Sequence, residues 1–297
     1  MKKNYLPVLL SILFCFSLQG LKAQKNADDS TAKTSYWVAG ISYLSNSVYL
    51  GRKDSLRAPY ITPIIGYYNK SGFYITGALS YLSTSTHSQI DLFELETGFT
   101  FTANNLDGSI SAYKDFYNSK SYGVKSDTKG SLNCYLDYDL GFIKPNIQAE
   151  IAFSSKSDYS AALGLEHTFY AADDNIDITP SFLLFASTQN YYSSYYNKRK
   201  YSPRRKKANN PDVASITAVL PNAAKFKIMD YEFSVPVNYT VGNFTFNVTP
   251  TLALPTNPAT VILTVKPLNG NTYTETNAEK LSNVFYWSVG VTFLLEK

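Results

Sequence analysis

Cysteine, histidine, methionine and tryptophan are scarce: each occurs twice in 297 residues. Cys15 lies in a leading apolar run, so only Cys134 belongs to the mature chain and an intrachain disulfide is excluded. His87 and His167 belong to no His/Cys cluster with transition-metal spacing. A P-loop and a dinucleotide fingerprint are also missing, which leaves the lone glycines to turns and strand crowding. Beyond the leading segment no stretch approaches the roughly 18 uninterrupted apolar residues of a transmembrane helix. What the chain does have is aromatic residues, 25 Tyr and 18 Phe, and a strong two-residue periodicity.

The chain begins MKKNYLPVLLSILFCFSLQGLKAQ, with Lys2 and Lys3 ahead of the apolar run Leu6 to Leu18 and the small-residue site Leu21-Lys22-Ala23. This predicts a signal peptide over residues 1–23 and a polar periplasmic linker over 24–34. Removing Lys2, Lys3 and Lys22 takes the formal charge from +4 to +1. Removing the basic run Lys198, Arg199, Lys200, Arg204, Arg205, Lys206 and Lys207 then leaves −6, so the basicity is local. Nucleic acid is not an expected partner of that run, because it follows a secretion signal.

From Ser35 onward apolar and polar residues alternate, the signature of strands with two unlike faces. In FYITGALSYL, Phe73, Ile75, Leu79 and Tyr81 point one way and Tyr74, Thr76 and Ser80 the other. The pattern predicts twelve strands, with ten to fourteen compatible with it: 35–45, 58–69, 73–83, 89–102, 107–117, 129–143, 146–155, 159–170, 175–188, 226–240, 244–255 and 282–295. The strand at 58–68 has apolar residues on both faces. A tight turn pairing Tyr68 with Phe73 would put Tyr60, Ile64 and Tyr68 on its apolar side. NKSG, ANNLDG, KPN, AADDN and VGN read as tight turns, whereas 46–57, 118–128, 189–225 and 256–281 are long. With a periplasmic N-terminus, every tight turn falls on the periplasmic side and every long loop outside, as in outer-membrane barrels.

The polar face carries Glu94, Glu96, Asp137, Asp139, Glu150, Glu166, Asp177 and Glu232. A packed soluble interior rarely tolerates such charges unpaired, so that face must meet water or cations. The expected fold is therefore all-β: a closed antiparallel up-and-down transmembrane β-barrel over 35–297. Trp37, Tyr68, Tyr81, Tyr239 and Trp287 would form interfacial girdles. A secreted β-sandwich shares the periodicity but not the strand length or the asymmetry of the turns. Pro63, Pro180, Pro236 and Pro250 fall inside strands and predict bulges or ladder breaks.

Lys22-Ala23-Gln24, Asp230-Tyr231-Glu232-Phe233-Ser234-Val235-Pro236 and the terminal strand Phe285 to Phe293 carry a resemblance. The chain resembles the outer-membrane β-barrel proteins of the Bacteroidota type, with the departure that it ends Phe293-Leu294-Leu295-Glu296-Lys297. The resemblance implies an integral outer-membrane barrel of a Gram-negative bacterium. It implies no catalytic residues.

A Ser/His/acid lipid-modifying site is the weakest functional reading. Glu166, His167 and Thr168 alternate faces, and a simple hairpin register across 156–158 sets Ile147 opposite His167, near the periplasmic interface. His87 lies on a short loop without a positioned acid. No cofactor and no metal are expected: Glu94/Glu96 and Asp137/Asp139 could meet a hard cation, but such pairs more often make a lumen attract cations. Two functions remain, a narrow channel with an acidic lumen for small solutes or ions, and a non-conducting barrel for surface display, adhesion or envelope architecture. Lumen tyrosines Tyr74, Tyr113, Tyr135 and Tyr286 lean toward occlusion. Expected partners are outer-membrane lipids, lipopolysaccharide and the barrel-assembly machinery. The basic run would sit on the longest outer loop as a solvated tip, reach lipopolysaccharide phosphates, or fold inward and gate the lumen.

Overall fold

The structure is a computed structural model that describes residues 34–53, 57–84, 88–119, 121, 127–196 and 213–296. In chain order the strands are β1 (Tyr36–Leu44), β2 (Val48–Tyr49), β3 (Arg52–Lys53), β4 (Tyr60–Tyr68), β5 (Phe73–Ser83), β6 (Ser88–Ala103) and β7 (Leu106–Tyr117). There follow β8 (Gly130–Tyr138), β9 (Lys144–Phe153), β10 (Asp158–Glu166), β11 (Phe169–Ala171), β12 (Ile176–Ile178), β13 (Ser181–Ser187) and helix α1 (Asn190–Tyr195). The last are β14 (Val213–Val219), β15 (Lys227–Ser234), β16 (Val237–Val241), β17 (Phe244–Pro255), β18 (Thr260–Pro267), β19 (Tyr273–Ala278) and β20 (Val284–Glu296).

Twelve staves make a closed antiparallel barrel, in the order β1, β4 to β10, β13, β15, β17 and β20, with β20 pairing back to β1. Closure leaves the wall no free edge. Tight turns gather at one end and long connections at the other. The turn between β6 and β7 is the two-residue Asn104-Asn105, with Asn104 at φ 56°, where asparagine tolerates the left-handed region better than most residues. Gly72 stands at φ 99°, and an added Cβ there would collide with the Thr100 carbonyl.

The apolar face points outward: Phe285 is 65% exposed, Phe73 62% and Ile65 57%. The polar alternates point inward and are largely inaccessible. Such a surface is the inverse of a water-soluble barrel. Aromatics ring both rims. Trp37–Tyr67, Phe73–Phe99 and Phe244–Phe293 meet at the turn end, and Tyr43–Trp287 and Phe93–Phe116 at the loop end.

Two registers differ from those expected. Tyr68 pairs with Tyr74 and not with Phe73, so Tyr60 and Tyr68 are buried inside while Ile61, Ile65 and Tyr67 take the outer face. The five-residue turn 69–73, with the Asn69 N–H donating to the Phe73 carbonyl, is one residue longer than assumed and inverts every side chain. Tyr68 is thus no girdle residue. In the β9–β10 hairpin Ile147 pairs with Leu163 and Lys144 with Glu166. Its loop takes in residues 153–157, braced by Ser154 Oγ donating to the Lys156 carbonyl, which moves the register by four.

Prolines account for the interruptions. Three staves are each written in two pieces, β10/β11, β12/β13 and β15/β16, and the gaps hold Pro180 and Pro236. His167 N–H donates to the Pro180 carbonyl, Thr179 N–H to Pro236 and Val235 N–H to Pro250. One seam therefore crosses neighbouring staves where ladder donors are missing. On β4 the pairing to β5 lapses at Thr62-Pro63.

Segments expected as plain loops carry structure at the loop end. β14, β18 and β19 form a separate three-stranded sheet, and β2 and β3 a short hairpin. With α1 they pack onto Ala162, Phe185 and Met229 of the wall in one apolar cluster.

Candidate functional site

The hairpin β2–β3 enters the barrel mouth. Val48, Tyr49, Leu50 and Arg52 are all buried, and Gly51 (φ 71°) lies against Asp230, where an added Cβ would come within 2.5 Å of the carboxylate. Leu50 and Tyr49 join Tyr191 and Tyr192 of α1 in the apolar cap, while Val48 joins a second cluster of Leu44, Tyr60, Leu82, Leu92 and Tyr286. Burial pushes the phenols of Tyr49, Tyr191 and Tyr192 well above the usual tyrosine range, so they remain neutral.

Arg52 anchors this plug. Its Nε donates to Glu279 Oε2 at 3.1 Å, Nη1 to the carbonyls of Leu50 (2.8 Å) and Met229 (3.3 Å), and Nη2 to those of Thr256 (2.8 Å) and Asn257 (3.0 Å). A guanidinium has five N–H donors, and this one has an acceptor for each. Glu279 also accepts from Ala259 N–H (3.0 Å) and Tyr192 Oη (3.3 Å), tying plug, helix and sheet together. Asp158 fastens α1 to the rim by accepting from Thr188 Oγ1, Asn190 N–H and Tyr191 N–H.

Asp91 holds a further connection inside. A bulge between Ser80 and Tyr81 turns both Asp91 and Leu92 inward. Its carboxylate accepts from Tyr60 Oη (2.7 Å), Ser121 Oγ (2.8 Å) and Gln89 Nε2 (3.0 Å).

At the turn end the wall's own rings project into the interior from β1, β4 and β5. Tyr36 stacks on Tyr68 at 5.0 Å and Tyr68 on Tyr74 at 5.1 Å. Tyr74 Oη donates to Glu96 Oε1 at 2.6 Å, and Thr76 Oγ1 reaches Oε2 at 3.2 Å. The Tyr74 ring lies over Gly98, where a Cβ would be 2.6 Å from ring carbon Cζ.

Of the carboxylates singled out from sequence, Glu96, Glu150, Asp137, Asp177 and Glu232 are buried inside, and Glu94 and Glu166 are half-buried on the same face. Asp139 stands past the end of β8, where its Oδ1 accepts from Gly141 N–H in the turn. They are not one cluster. Glu94 faces Asp115 across β6 and β7, Asp177 accepts from Asn238 Nδ2 at 2.7 Å, and Tyr286 Oη donates to Glu232 Oε2 at 3.4 Å. Asp137 pairs with Lys144 at 3.0 Å. Among the described residues no group of three His, Cys, Asp or Glu side chains is placed to hold a metal. His167 packs edge-on against Phe169 near the turn end, one residue along the strand from inward-facing Glu166. His87 and the basic run Lys198, Arg199, Lys200, Arg204, Arg205, Lys206 and Lys207 lie outside the described residues. Tyr74, Tyr113, Tyr135 and Tyr286 are all buried in the interior.

Sequence reasoning passed over Arg52, Asp91, Asp107, Lys144 and Asp230. Asp230 shares the two-residue face of Glu232 and was visible there. Asp91 was hidden by its bulge, Lys144 by the turn boundary, and Arg52 by a loop without periodicity.

No protein-family model and no curated protein match the chain. Among solved structures it is similar to the KdgM porin, with 9% identity over 87% of this chain and 98% of that one at a TM-score of 0.46. It is also similar to the NanC porin (10%, covering 86% and 98%, TM-score 0.46) and to an outer membrane channel from Pseudomonas putida F1 (10%, covering 91% and 100%, TM-score 0.46).

Proposed function

We propose that the chain is an integral outer-membrane β-barrel of a Gram-negative envelope, acting as a narrow cation-favouring channel held shut at its loop end by the hairpin Val48–Lys53. The apolar outer belt with its aromatic rims supports the membrane location, since in lipid only a closed sheet or a helix satisfies its backbone. In this reading the N-terminus and tight turns face the periplasm, the long loops face outward, and the belt meets outer-membrane lipids including lipopolysaccharide.

One observation carries the channel reading. Buried carboxylates line the interior on several staves, whereas Arg52 is the sole fully buried base among the described residues and the partly buried Lys144 serves Asp137. Tyrosine, serine and amide donors hold several of these carboxylates, but neutral donors leave the negative field of the interior uncancelled. Such an interior favours cations drawn from solution. The plug belongs to a connecting segment and is held through contacts that can be released without opening the wall.

The magnitude of those contacts matters. Burying Val48, Tyr49 and Leu50 stabilises the shut state by on the order of 5 kcal/mol. At about 1.4 kcal/mol per factor of ten, the unmodified barrel opens less than about one part in a thousand of the time. A second reading, a non-conducting envelope or display barrel, is favoured by the tightness of the interior, with Asp230, Ser187 and Ala253 at 0% exposure. Planar-bilayer recording of a variant with residues 48–53 replaced by a Gly-Ser linker separates the two. Discrete openings support the channel; silence from correctly folded variant protein supports the sealed barrel.

A further inference from the structure

Three oxygen-bearing side chains that the plug does not touch stand in one row across β7, β8 and β9. Asp107 pairs in register with Asp137, and Asp137 with Asn146. All three are buried on the inner face, at 7%, 2% and 8% exposure. Asp107 Oδ1 and Asn146 Oδ1 have no hydrogen-bond partner. Buried polar atoms rarely stay unpartnered, so the row is incomplete as it stands. The next register position, on β10, is Gly164, and an added Cβ there would collide with the Asn146 amide. Glycine therefore leaves room for the Asn146 amide, which lies over Gly164 on the side of β9 away from Asp137 and must rotate about its side-chain bonds to join the row.

We propose that this row binds one hard divalent cation through Asp107, Asp137 and the Asn146 side-chain oxygen. The donors are all oxygens, the set that suits calcium or magnesium and not a thiophilic metal. Adjacent members of the row have Cβ atoms roughly 4.5–5.5 Å apart, and Asp107 and Asn146, two strands and about 10 Å apart, must both lean toward Asp137 for one ion with metal–oxygen distances of about 2.0–2.6 Å to bridge all three. Charge agrees with the valence. Asp107, Asp137 and the adjoining Glu166, set against Lys144, leave a formal −2 that one divalent ion neutralises. Lys144 is the tethered competitor: its ammonium sits 3.0 Å from Asp137 Oδ1, and its register partner Glu166 gives it a second place to go when the ion arrives. Binding at this row does not require that the barrel conduct.

The test uses the full chain folded in detergent micelles, with terbium as the probe and buried Tyr135, two residues from Asp137, as the antenna for its luminescence. One saturable equivalent that calcium displaces is expected. Asp107→Asn and Asn146→Ala should each weaken terbium binding by about tenfold or more. Lys144→Gln should tighten it by about tenfold, because a competing positive charge is gone. That gain keeps the test independent of any loss of folding in the other variants. Absence of saturable binding in the unmodified chain, unchanged affinity in both Asp107→Asn and Asn146→Ala, or no tightening in Lys144→Gln would overturn the proposal.

Discussion

At the loop end the interior is filled by chain that leaves the wall and turns back into it: the hairpin Val48–Lys53, buried against Asp230 and held by Arg52. At the turn end it is narrowed by side chains of the wall itself, Tyr36, Tyr68 and Tyr74, stacked across neighbouring staves. The two closures differ in what must break to undo them. Withdrawing the hairpin exposes apolar surface and frees the Arg52 guanidinium from Met229, Thr256, Asn257 and Glu279, but leaves the hydrogen-bond ladder between staves intact. Displacing the rings requires rotamer changes inside a packed ladder, with Glu96 losing the Tyr74 hydroxyl. In the proposed channel the first closure would be the one that opens, and the second would narrow the passage permanently.

The largest effect is expected where the loop-end closure depends on one side chain. Arg52→Ala removes a charged donor from the carbonyls of Met229, Thr256 and Asn257 and from the Glu279 carboxylate, although Met229 keeps Thr256 N–H and Glu279 keeps Ala259 N–H and Tyr192 Oη. Hydrogen bonds to a charged group are worth about 1.5–3 kcal/mol each, so the variant should show channel openings at least about a hundredfold more often than the unmodified chain in bilayer recordings. Arg52→Lys, with three donors in place of five, should fall between the two. Tyr68→Ala should be silent by itself, because the plug is still seated, and should raise single-channel conductance only in the Arg52→Ala background. If Tyr68→Ala alone opens the barrel, the turn end is the real gate.

Smaller effects sharpen the turn-end side. Gly98→Ala forces a methyl to within 2.6 Å of the Tyr74 ring, whereas Gly77→Ala meets its nearest neighbour, Leu95, at 3.6 Å. Gly98→Ala should destabilise the folded barrel by about 1–3 kcal/mol in denaturant titrations, and Gly77→Ala should differ little from the unmodified chain. Tyr74→Phe, which removes the donor to buried Glu96, should cost about 1–3 kcal/mol in the same titration.

How much of this was legible depended on whether a residue obeys the two-residue period. The wall did: the outward faces of Trp37/Ala39/Ile41, Phe73/Ile75 and Phe285/Trp287 follow directly from alternation. Tyr68 was misplaced because β4 is apolar on both faces, so that only the length of the turn 69–73 fixes its register. Lys144 and Glu166 were not expected as neighbours for the same reason at the next such turn, 153–157. Asp91 obeys no simple period, since a bulge puts it and Leu92 on one side. Arg52 and its hairpin could not be read at all. VYLGRK is short, belongs to a connection between staves, and gains its burial from Tyr191, Tyr192 and Val261, all far away in sequence. Periodicity describes a strand against its own sheet; it carries no information about what a loop will find when it folds inward.

The ion selectivity of the plug-free barrel tests the central claim most directly. With residues 48–53 replaced by a Gly-Ser linker and a potassium chloride gradient across a planar bilayer, the reversal potential should report preferential passage of potassium. A reversal potential set by chloride, or folded variant protein that never conducts, would contradict the account.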